Sequence, residues 1–141
     1  VETSNNLGMV ALAPAGGSCN LLVRSLTEDG KTALADEISS LFALSSSAAK
    51  SAGGYPGWAP NPASPLLALC QSVYSQRYGA PAKVQVIHAG LECGIIGEKY
   101  PGMDMISIGP IILGAHSPDE RVSIPSVAHF WKYLKAMLAE L

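Results

Sequence analysis

One proline-rich stretch divides the chain and limits what each side of it can fold into. Residues 54–65, GYPGWAPNPASP, contain four prolines and two glycines in twelve positions. Proline lacks a backbone N–H and restricts φ, so such a stretch cannot lie inside a helix or a central strand. We therefore predict a domain boundary within this stretch, with one segment before it and a second after it.

The first segment has the pattern of two strands followed by a helix. The apolar run LGMVALAP at 7–14 ends in a glycine-rich turn and is followed by SCNLLVRSLT at 18–27, which together predict an antiparallel hairpin. Apolar residues at helical spacing then predict a helix after residue 27, with Gly53 and Gly54 beyond its end.

The second segment alternates helix and strand, which is typical of α/β domains. A helix is predicted with Ser64 as its N-cap, Pro65 at its first position and Gly79 past its end. The predicted elements that follow are a strand at 83–89, a short helix in LECGIIGEKYPG, one or two strands in 103–113, and a last helix in 123–141.

Composition excludes several classes of function. With 48% hydrophobic and 14% charged residues the 141-residue chain is typical of a globular protein, and a formal net charge of -2 does not suit nucleic acid or an anionic membrane as partner. The three cysteines show no C-x-x-C spacing, so neither a disulfide framework nor a zinc finger is indicated and a reducing cytoplasm is the simplest setting. Because the first residue is Val1, we expect a piece of a longer protein.

Familiar catalytic motifs are missing from the sequence. Ser107 lacks the glycine of a nucleophile elbow, and neither glycine-rich phosphate loop occurs. Cys93 and His88 are five residues apart, and a cysteine nucleophile would also need a third, orienting group that the sequence does not identify.

His116 lies between the apolar run GPIILGA and the polar turn SPDE. An imidazole that follows a strand is a common zinc ligand, and Asp119 and Glu120 could orient its ring or hold the loop. A histidine in a surface turn is the alternative, and the residues alone leave both interpretations open.

Two further places suit polar ligands. Arg24 is a lone cation on an apolar strand, where it either forks onto a substrate carboxylate or faces solvent. His88 and Glu92 flank a junction that contains Gly90, which either grips a polar ligand or is an ordinary strand-to-helix connection.

Several motifs together resemble one enzyme family. TSNNLG, CNLLVRSL, GYPGWAPNPASPLL, IHAGLECG, DMISIGP and GAHSPDERVSIPS occur in this order and spacing. They resemble the C-terminal third of the Xaa-His dipeptidases, or aminoacyl-histidine dipeptidases, which are di-zinc metallopeptidases. The resemblance covers essentially the whole chain.

This resemblance implies an α/β chain made of two pieces. Residues 1–58 would be the second half, β-β-α-β, of an α+β, two-layer, ferredoxin-like lid that also forms a homodimer. Residues 59–141 would be the C-terminal α/β segment of the zinc-peptidase catalytic domain.

The resemblance also assigns roles to residues. His116 would be the last metal ligand, Arg24 would bind the substrate's C-terminal carboxylate, and Gly90 and Glu92 would contact substrate. Two Zn²⁺ ions, with Co²⁺ or Mn²⁺ as replacements, would activate a water. The general base and the other ligands would lie elsewhere in the enzyme, so we expect no catalytic residue in this chain.

The function implied is that of a cytosolic zinc-dependent dipeptidase that hydrolyses Xaa-His dipeptides of the carnosine type. The chain would be an inactive fragment of it. The alternative is a non-catalytic association or dimerisation module derived from such a peptidase.

Overall fold

A computed structural model describes residues 1–88 and 92–141. These residues form two compact units, one of Val1–Pro60 with Gln85–Gly102 and the other of Asn61–Val84 with Met103–Leu141. Within the described residues the elements are, in order, β1 (Thr3–Ala13), β2 (Gly16–Ser25), α1 (Glu28–Leu44), α2 (Pro65–Tyr78), α3 (Glu92–Lys99), β3 (Ile112–Leu113), β4 (Arg121–Val122) and α4 (Ile124–Leu138).

The first unit begins with the hairpin predicted from the sequence. β1 and β2 pair antiparallel from Thr3 opposite Ser25 to Ala13 opposite Gly16, and the register shifts between Leu7 and Met9. Such a bulge inserts one extra residue into one strand and moves every pair beyond it by one position. As a result Ser4, and not its neighbour, lies opposite Arg24.

Helix α1 follows the hairpin at a capped start. The Thr27 hydroxyl accepts a hydrogen bond from the Gly30 N–H at 3.2 Å, which satisfies one of the free donors of the first turn. The helix also approaches the strands closely at Gly30, where a Cβ would lie 2.7 Å from Ser25 Oγ and 2.8 Å from Thr3 Oγ1. The start of α1 is therefore seated against the open end of the hairpin.

A short segment of the proline-rich stretch, residues 55–57, is called the strap here. On one side a Cβ at Gly57 would lie 2.5 Å from the Leu26 carbonyl oxygen. On the other side a Cβ at Gly94, in α3, would lie 2.5 Å from the Pro56 carbonyl oxygen. Glycine at both positions lets the strap pass between the end of β2 and helix α3 at backbone contact distance.

The second unit contains α2, whose two ends match the prediction. Ser64 Oγ accepts from the Leu67 N–H at 2.9 Å, Pro65 is the first helical residue, and Gly79 ends the helix with φ 69°. Helices α2 and α4 enclose the core of this unit, formed by Cys70, Val73, Tyr133 and Met137.

Several predicted strands are wrong. Residues 81–88 form no strand, and in 103–113 only Ile112 and Leu113 are paired, with Val122 and Arg121 of β4. No strand follows α1 in residues 45–64, so the final strand of the expected β-β-α-β order is also missing there. A strand exists through hydrogen bonds to a neighbour, and these apolar runs have no partner strand within the described residues.

The mixed α/β class is confirmed by four helices and two small sheets within the described residues. The ferredoxin-like lid and the division into residues 1–58 and 59–141 stay predictions. In this structure residues 85–88 and 92–102 pack with the first unit although they follow the proline-rich stretch. No helix in residues 1–88 or 92–141 has both the length and the apolar character needed to cross a bilayer.

Candidate functional site

Arg24 lies at the mouth of a small cleft in the first unit. It is exposed on β2, and within residues 1–88 and 92–141 no side-chain hydrogen bond or ion pair involves its guanidinium. The cleft has a volume of about 40 Å³ and is lined by Val23, Arg24, Ser25, Lys31, Gly54, Tyr55, Pro56 and His88.

His88 joins this cleft through a contact with β1. Its Nε2 atom lies 2.6 Å from Ser4 Oγ, a hydrogen bond that links two residues 84 positions apart in the chain. Ser4 is the direct cross-strand partner of Arg24. Side chains of such a pair project from the same face of the hairpin with Cβ atoms about 5 Å apart, so the imidazole is held beside the arginine.

Lys31 contributes little net positive charge to the cleft because it is paired. Its Nζ lies 2.7 Å from Glu28 Oε2 and also donates to the Tyr55 carbonyl at 3.0 Å. The Glu28 carboxylate in turn accepts from the Gly57 N–H at 2.8 Å. The hydrogen bond from Lys31, followed by that from Gly57, lowers the pKa of the Glu28 carboxyl below its ordinary value. Lys31 and Glu28 therefore hold the strap against α1.

The cleft presents donors of a kind that a carboxylate could accept from. A guanidinium is a planar fork of N–H donors that matches the two oxygens of a carboxylate. Arg24 retains those donors within the described residues, whereas Lys31 has committed its own. The arrangement suits a small anionic group at the end of a ligand.

His116 lies in the second unit, on a loop between β3 and β4. Both Gly114 and His116 have a left-handed backbone, with φ 64° and 65°. The turn is closed by hydrogen bonds from the Ser117 hydroxyl to the Gly114 carbonyl at 2.7 Å and from the Glu120 N–H to the Ser117 carbonyl at 3.1 Å. The Glu120 carboxylate accepts from the His116 backbone N–H, so this acid holds the loop, one of the two roles predicted for it.

The described residues by themselves do not fit a zinc ion. His116 is exposed, and no group of three or more His, Cys, Asp and Glu side chains within residues 1–88 and 92–141 is placed to hold a metal. Zinc in a catalytic site takes about three protein ligands. One imidazole on a shaped loop is a single ligand, and no catalytic step can be derived from it.

The remaining predicted site residues divide into two cases. Gly90 lies outside the described residues. Glu92 is exposed at the first position of α3 and is not among the residues that line the cleft. Beside it, burial and then the Glu92 carboxylate raise the pKa of the Cys93 thiol, which is the opposite of what a cysteine nucleophile needs.

Sequence reasoning found Arg24 and His88 but not the residue that connects them. It paired His88 with Glu92, its neighbour along the chain. Ser4 carried no signal in the sequence, because its place opposite Arg24 depends on the bulge at Leu7/Met9.

The chain is similar to known proteins along its whole length, as two of its relatives illustrate. The chain is 43% identical over all its 141 residues to the cytosol non-specific dipeptidase of Escherichia coli (strain K12), and it covers 29% of that protein. It matches the crystal structure of aminoacylhistidine dipeptidase from Vibrio alginolyticus with a TM-score of 0.84 and 39% identity, over all of this chain and 29% of that one. The chain is similar to dipeptidases along its whole length.

These matches confirm the resemblance predicted from the motifs. Both relatives carry the name of a dipeptidase, an enzyme that hydrolyses a peptide bond. The chain spans less than a third of the length of either relative. No protein-family model matches it.

Proposed function

We propose that this chain is the part of a longer, zinc-dependent cytosolic dipeptidase that binds the C-terminal carboxylate of the substrate and supplies one metal ligand. In this proposal Arg24 binds the carboxylate and His116 contributes an imidazole to a two-zinc site. The other ligands and the general base come from outside this chain, so the isolated chain is inactive.

One observation carries the substrate part of the proposal. In the described residues Arg24 borders a cleft in which the neighbouring lysine is already neutralised by Glu28 at 2.7 Å. An arginine with its donors uncommitted, beside a cleft and with apolar and small neighbours, suits a terminal carboxylate. The names of the two relatives support a dipeptide as the ligand that brings this group.

The test uses the full-length enzyme and two substrates that differ in one group. We expect a dipeptide to be hydrolysed with a much lower KM than the same dipeptide with a C-terminal amide. Arg24→Ala should remove this difference, and Arg24→Lys should restore only part of it, because an ammonium keeps the charge but not the planar fork. Equal KM values for acid and amide in the unchanged enzyme would refute the proposed role of the cleft.

The metal part rests on the shape of the loop at His116. A non-glycine residue at φ 65° is uncommon, and a loop that keeps one in place exposes the imidazole at its tip. Such positions occur where a side chain must be presented in a fixed direction. The proposal is that the rest of the enzyme completes the coordination around this ring.

Metal content separates this role from a surface-turn histidine. The full-length enzyme should hold about two zinc ions per chain, and His116→Ala should reduce both the metal content and the rate of hydrolysis. His129→Ala is the matched control, since it removes an exposed imidazole from helix α4 and changes nothing in the loop. Unchanged zinc content in His116→Ala would remove this residue from the metal site.

The two relatives differ in the substrate range that their names state, one being non-specific and the other an aminoacylhistidine dipeptidase. We propose a preference for a C-terminal histidine, with Gly90 and Glu92 as further substrate contacts. A panel of dipeptides that share the first residue and vary the second tests this preference. Similar kcat/KM values across the panel would place the enzyme with the non-specific class.

We further propose that the first unit mediates a homodimer. Large apolar side chains are exposed along the hairpin, namely Leu7, Met9, Val10 and Leu12. Within the described residues the hairpin is a sheet of two strands, so each strand has one edge without a partner. Exposed edges with apolar side chains favour pairing with another chain.

Sedimentation of the full-length protein tests the dimer. Val10→Lys places a charge on the hairpin and should shift the protein towards monomer, whereas Leu44→Lys, exposed at the end of α1, should not. If the protein dimerises but lacks peptidase activity with zinc, the non-catalytic association module becomes the better description.

A further inference from the structure

His88 is a member of the Arg24 cleft to which the proposed function gives no role. Its Nε2 atom is engaged by Ser4 Oγ at 2.6 Å, and the residue is half-buried beside the hairpin. This hydrogen bond restricts the rotamers of both the Ser4 and the His88 side chain, at a cost in conformational entropy. The bond thus orients an imidazole that already lines the cleft.

Two other polar side chains around the cleft, those of Ser25 and Lys31, are committed to the fold. Ser25 Oγ lies 2.8 Å from Thr3 Oγ1 and accepts from the Thr27 N–H at 3.2 Å. Lys31 is bound to Glu28 and to the strap. Arg24, the Tyr55 hydroxyl and the second ring nitrogen of His88, Nδ1, retain hydrogen-bonding capacity among the described residues.

We propose that His88 is a second carboxylate-binding residue in this cleft and that Ser4 is its positioning residue. The proposal rests on the proposed function, because it takes the ligand of the cleft to be a terminal carboxylate. Arg24 supplies charge and a fork of donors, and His88 supplies one more donor on the ring nitrogen that Ser4 does not engage.

The chemistry of the ring makes Ser4 essential to this role. A neutral imidazole carries one N–H donor and one acceptor nitrogen, and the partner of one nitrogen decides which is which. When the Ser4 hydroxyl donates to Nε2, the ring proton lies on Nδ1. The Nδ1–H group can then donate to a carboxylate oxygen while Ser4 holds the other end of the ring.

Two substitutions of His88 separate binding of substrate from binding of Ser4. Asparagine places an amide N–H₂ near the position of Nδ1 but does not reach Ser4, whereas glutamine reaches the position of Nε2 and offers no donor near Nδ1. In the full-length enzyme, His88→Gln should raise the KM for a dipeptide about tenfold with little change in kcat, as expected for a lost hydrogen bond to a charged group. His88→Asn keeps a donor but loses the Ser4 contact, so it should raise the KM only several-fold, as Ser4→Ala does.

Ser4 is tested by removing and then restoring its hydroxyl. Ser4→Ala should raise the KM for the dipeptide several-fold and leave the KM for the dipeptide amide unchanged. Ser4→Thr keeps the hydroxyl on a residue suited to a strand and should restore the wild-type KM. Ser18→Ala, at an exposed position of the same hairpin, is the matched control and should have no effect.

The outcomes distinguish this inference from the proposed function. If Arg24→Ala abolishes the preference for acid over amide and His88→Gln does not reduce it, the role of His88 is refuted while the cleft stands. If neither substitution affects the preference, the proposed function of the cleft fails as well. A larger loss in His88→Asn than in His88→Gln would show that the ring serves only to anchor β1 through Ser4.

Discussion

Gly94 and Pro56 approach each other so closely that a Cβ on Gly94 would lie 2.5 Å from the Pro56 carbonyl oxygen. Gly94 is buried in α3, and Pro56 is the middle residue of the strap. The Cβ of an alanine here would meet a backbone carbonyl, so no change of side-chain rotamer could relieve the contact. The contact ties the segment at residues 92–99 to the proline-rich stretch in the first unit.

Gly94→Ala is therefore expected to destabilise the first unit by roughly 1–3 kcal/mol through overpacking. The sign is informative, because alanine in a helix interior is otherwise favoured over glycine by about 1 kcal/mol. Denaturant unfolding followed by Trp58 fluorescence measures the effect, in a background where Trp131 of the second unit is replaced by phenylalanine.

Gly8→Ala is the control for this substitution. A Cβ at Gly8 would meet nothing closer than 3.7 Å, which is ordinary van der Waals contact. Its stability should match that of the unchanged protein within about 0.5 kcal/mol, the usual range for a site without special packing. Equal unfolding midpoints for Gly94→Ala and Gly8→Ala would contradict the close approach.

Acid should loosen the start of helix α2. The Asp104 carboxylate accepts from Ser64 Oγ at 2.8 Å and from the Leu66 N–H at 3.0 Å. The Ser64 hydrogen bond, followed by the Leu66 N–H, lowers the pKa of the Asp104 carboxyl. A lowered folded-state pKa gives stability that is present above the unfolded value, about 4, and is lost as pH falls through the folded value.

The measurement is the unfolding midpoint of the second unit as a function of pH, followed by Trp131 with Trp58 replaced. Below about pH 4 the unchanged protein should lose stability more steeply than Asp104→Asn, which carries no titrating group there. Ser64→Ala should cost about 1 kcal/mol at neutral pH, because it removes the N-cap as well. Parallel pH profiles for the wild type and Asp104→Asn would argue against this role of the carboxylate.

Alkali should act on the core between α2 and α4. The Tyr133 hydroxyl donates to the Cys70 carbonyl at 2.8 Å, and burial, with Cys70 next, raises the pKa of Tyr133 to about 12. A raised folded-state pKa gives stability that is present below the unfolded value, about 10, and is lost as pH rises through the folded one. The second unit should thus weaken between about pH 10 and pH 12.

Tyr133→Phe tests the role of the Tyr133 hydroxyl at neutral pH and at alkaline pH. It should cost about 1 kcal/mol near neutral pH for the lost hydrogen bond and should flatten the alkaline decline. Tyr100→Phe, at a side chain that is 60% exposed, is the control. A decline of the same slope in Tyr133→Phe would place the alkaline instability elsewhere.

Because the backbone at His116 is left-handed, one substitution there should raise the stability of the second unit and lower the zinc content proposed for the full-length enzyme. A backbone φ of 65° costs a non-glycine residue roughly 1 kcal/mol of steric energy, whereas glycine, which has no Cβ, avoids this steric cost. His116→Gly should therefore stabilise the second unit by about 1 kcal/mol, since the Glu120 carboxylate bonds the backbone N–H and not the ring. The same variant of the full-length enzyme should bind less zinc.

Thermal unfolding with Trp131 as the reporter checks the first half of this prediction, and metal analysis checks the second. His116→Ala keeps a Cβ and should gain no stability while losing metal equally. A His116→Gly protein that unfolds at a lower temperature than the wild type would contradict the strain at this position.

Elements that depend on interactions between nearby residues were predicted correctly from the sequence, and elements that depend on distant residues were not. The ends of α2 are set by Ser64 and Gly79 within a few residues, and the sequence located both. The strand expected at 83–89 failed because an apolar alternating run becomes a strand only when a partner supplies its hydrogen bonds. Local signals carry no information about that partner.

The cleft illustrates the same limit within a correctly predicted hairpin. Counted back from the pair Ala13 and Gly16 without interruption, Asn5 would lie opposite Arg24, but the shift between Leu7 and Met9 brings Ser4 there. One extra residue exchanges the face on which each side chain projects. The sequence singled out Arg24 as a candidate ligand residue, which stays a prediction, but could not identify its neighbour across the hairpin.

The loop at His116 also has a consequence for redesign. Its shape depends on Gly114, on the Ser117 hydroxyl and on a carboxylate that bonds the backbone, and none of these bonds involves the imidazole. The conformation of the loop therefore does not depend on the identity of the side chain at position 116. Aspartate and asparagine tolerate a left-handed backbone, so either could present an oxygen atom from this position without rebuilding the loop. If His116 is a metal ligand as proposed, such a change should favour harder metal ions.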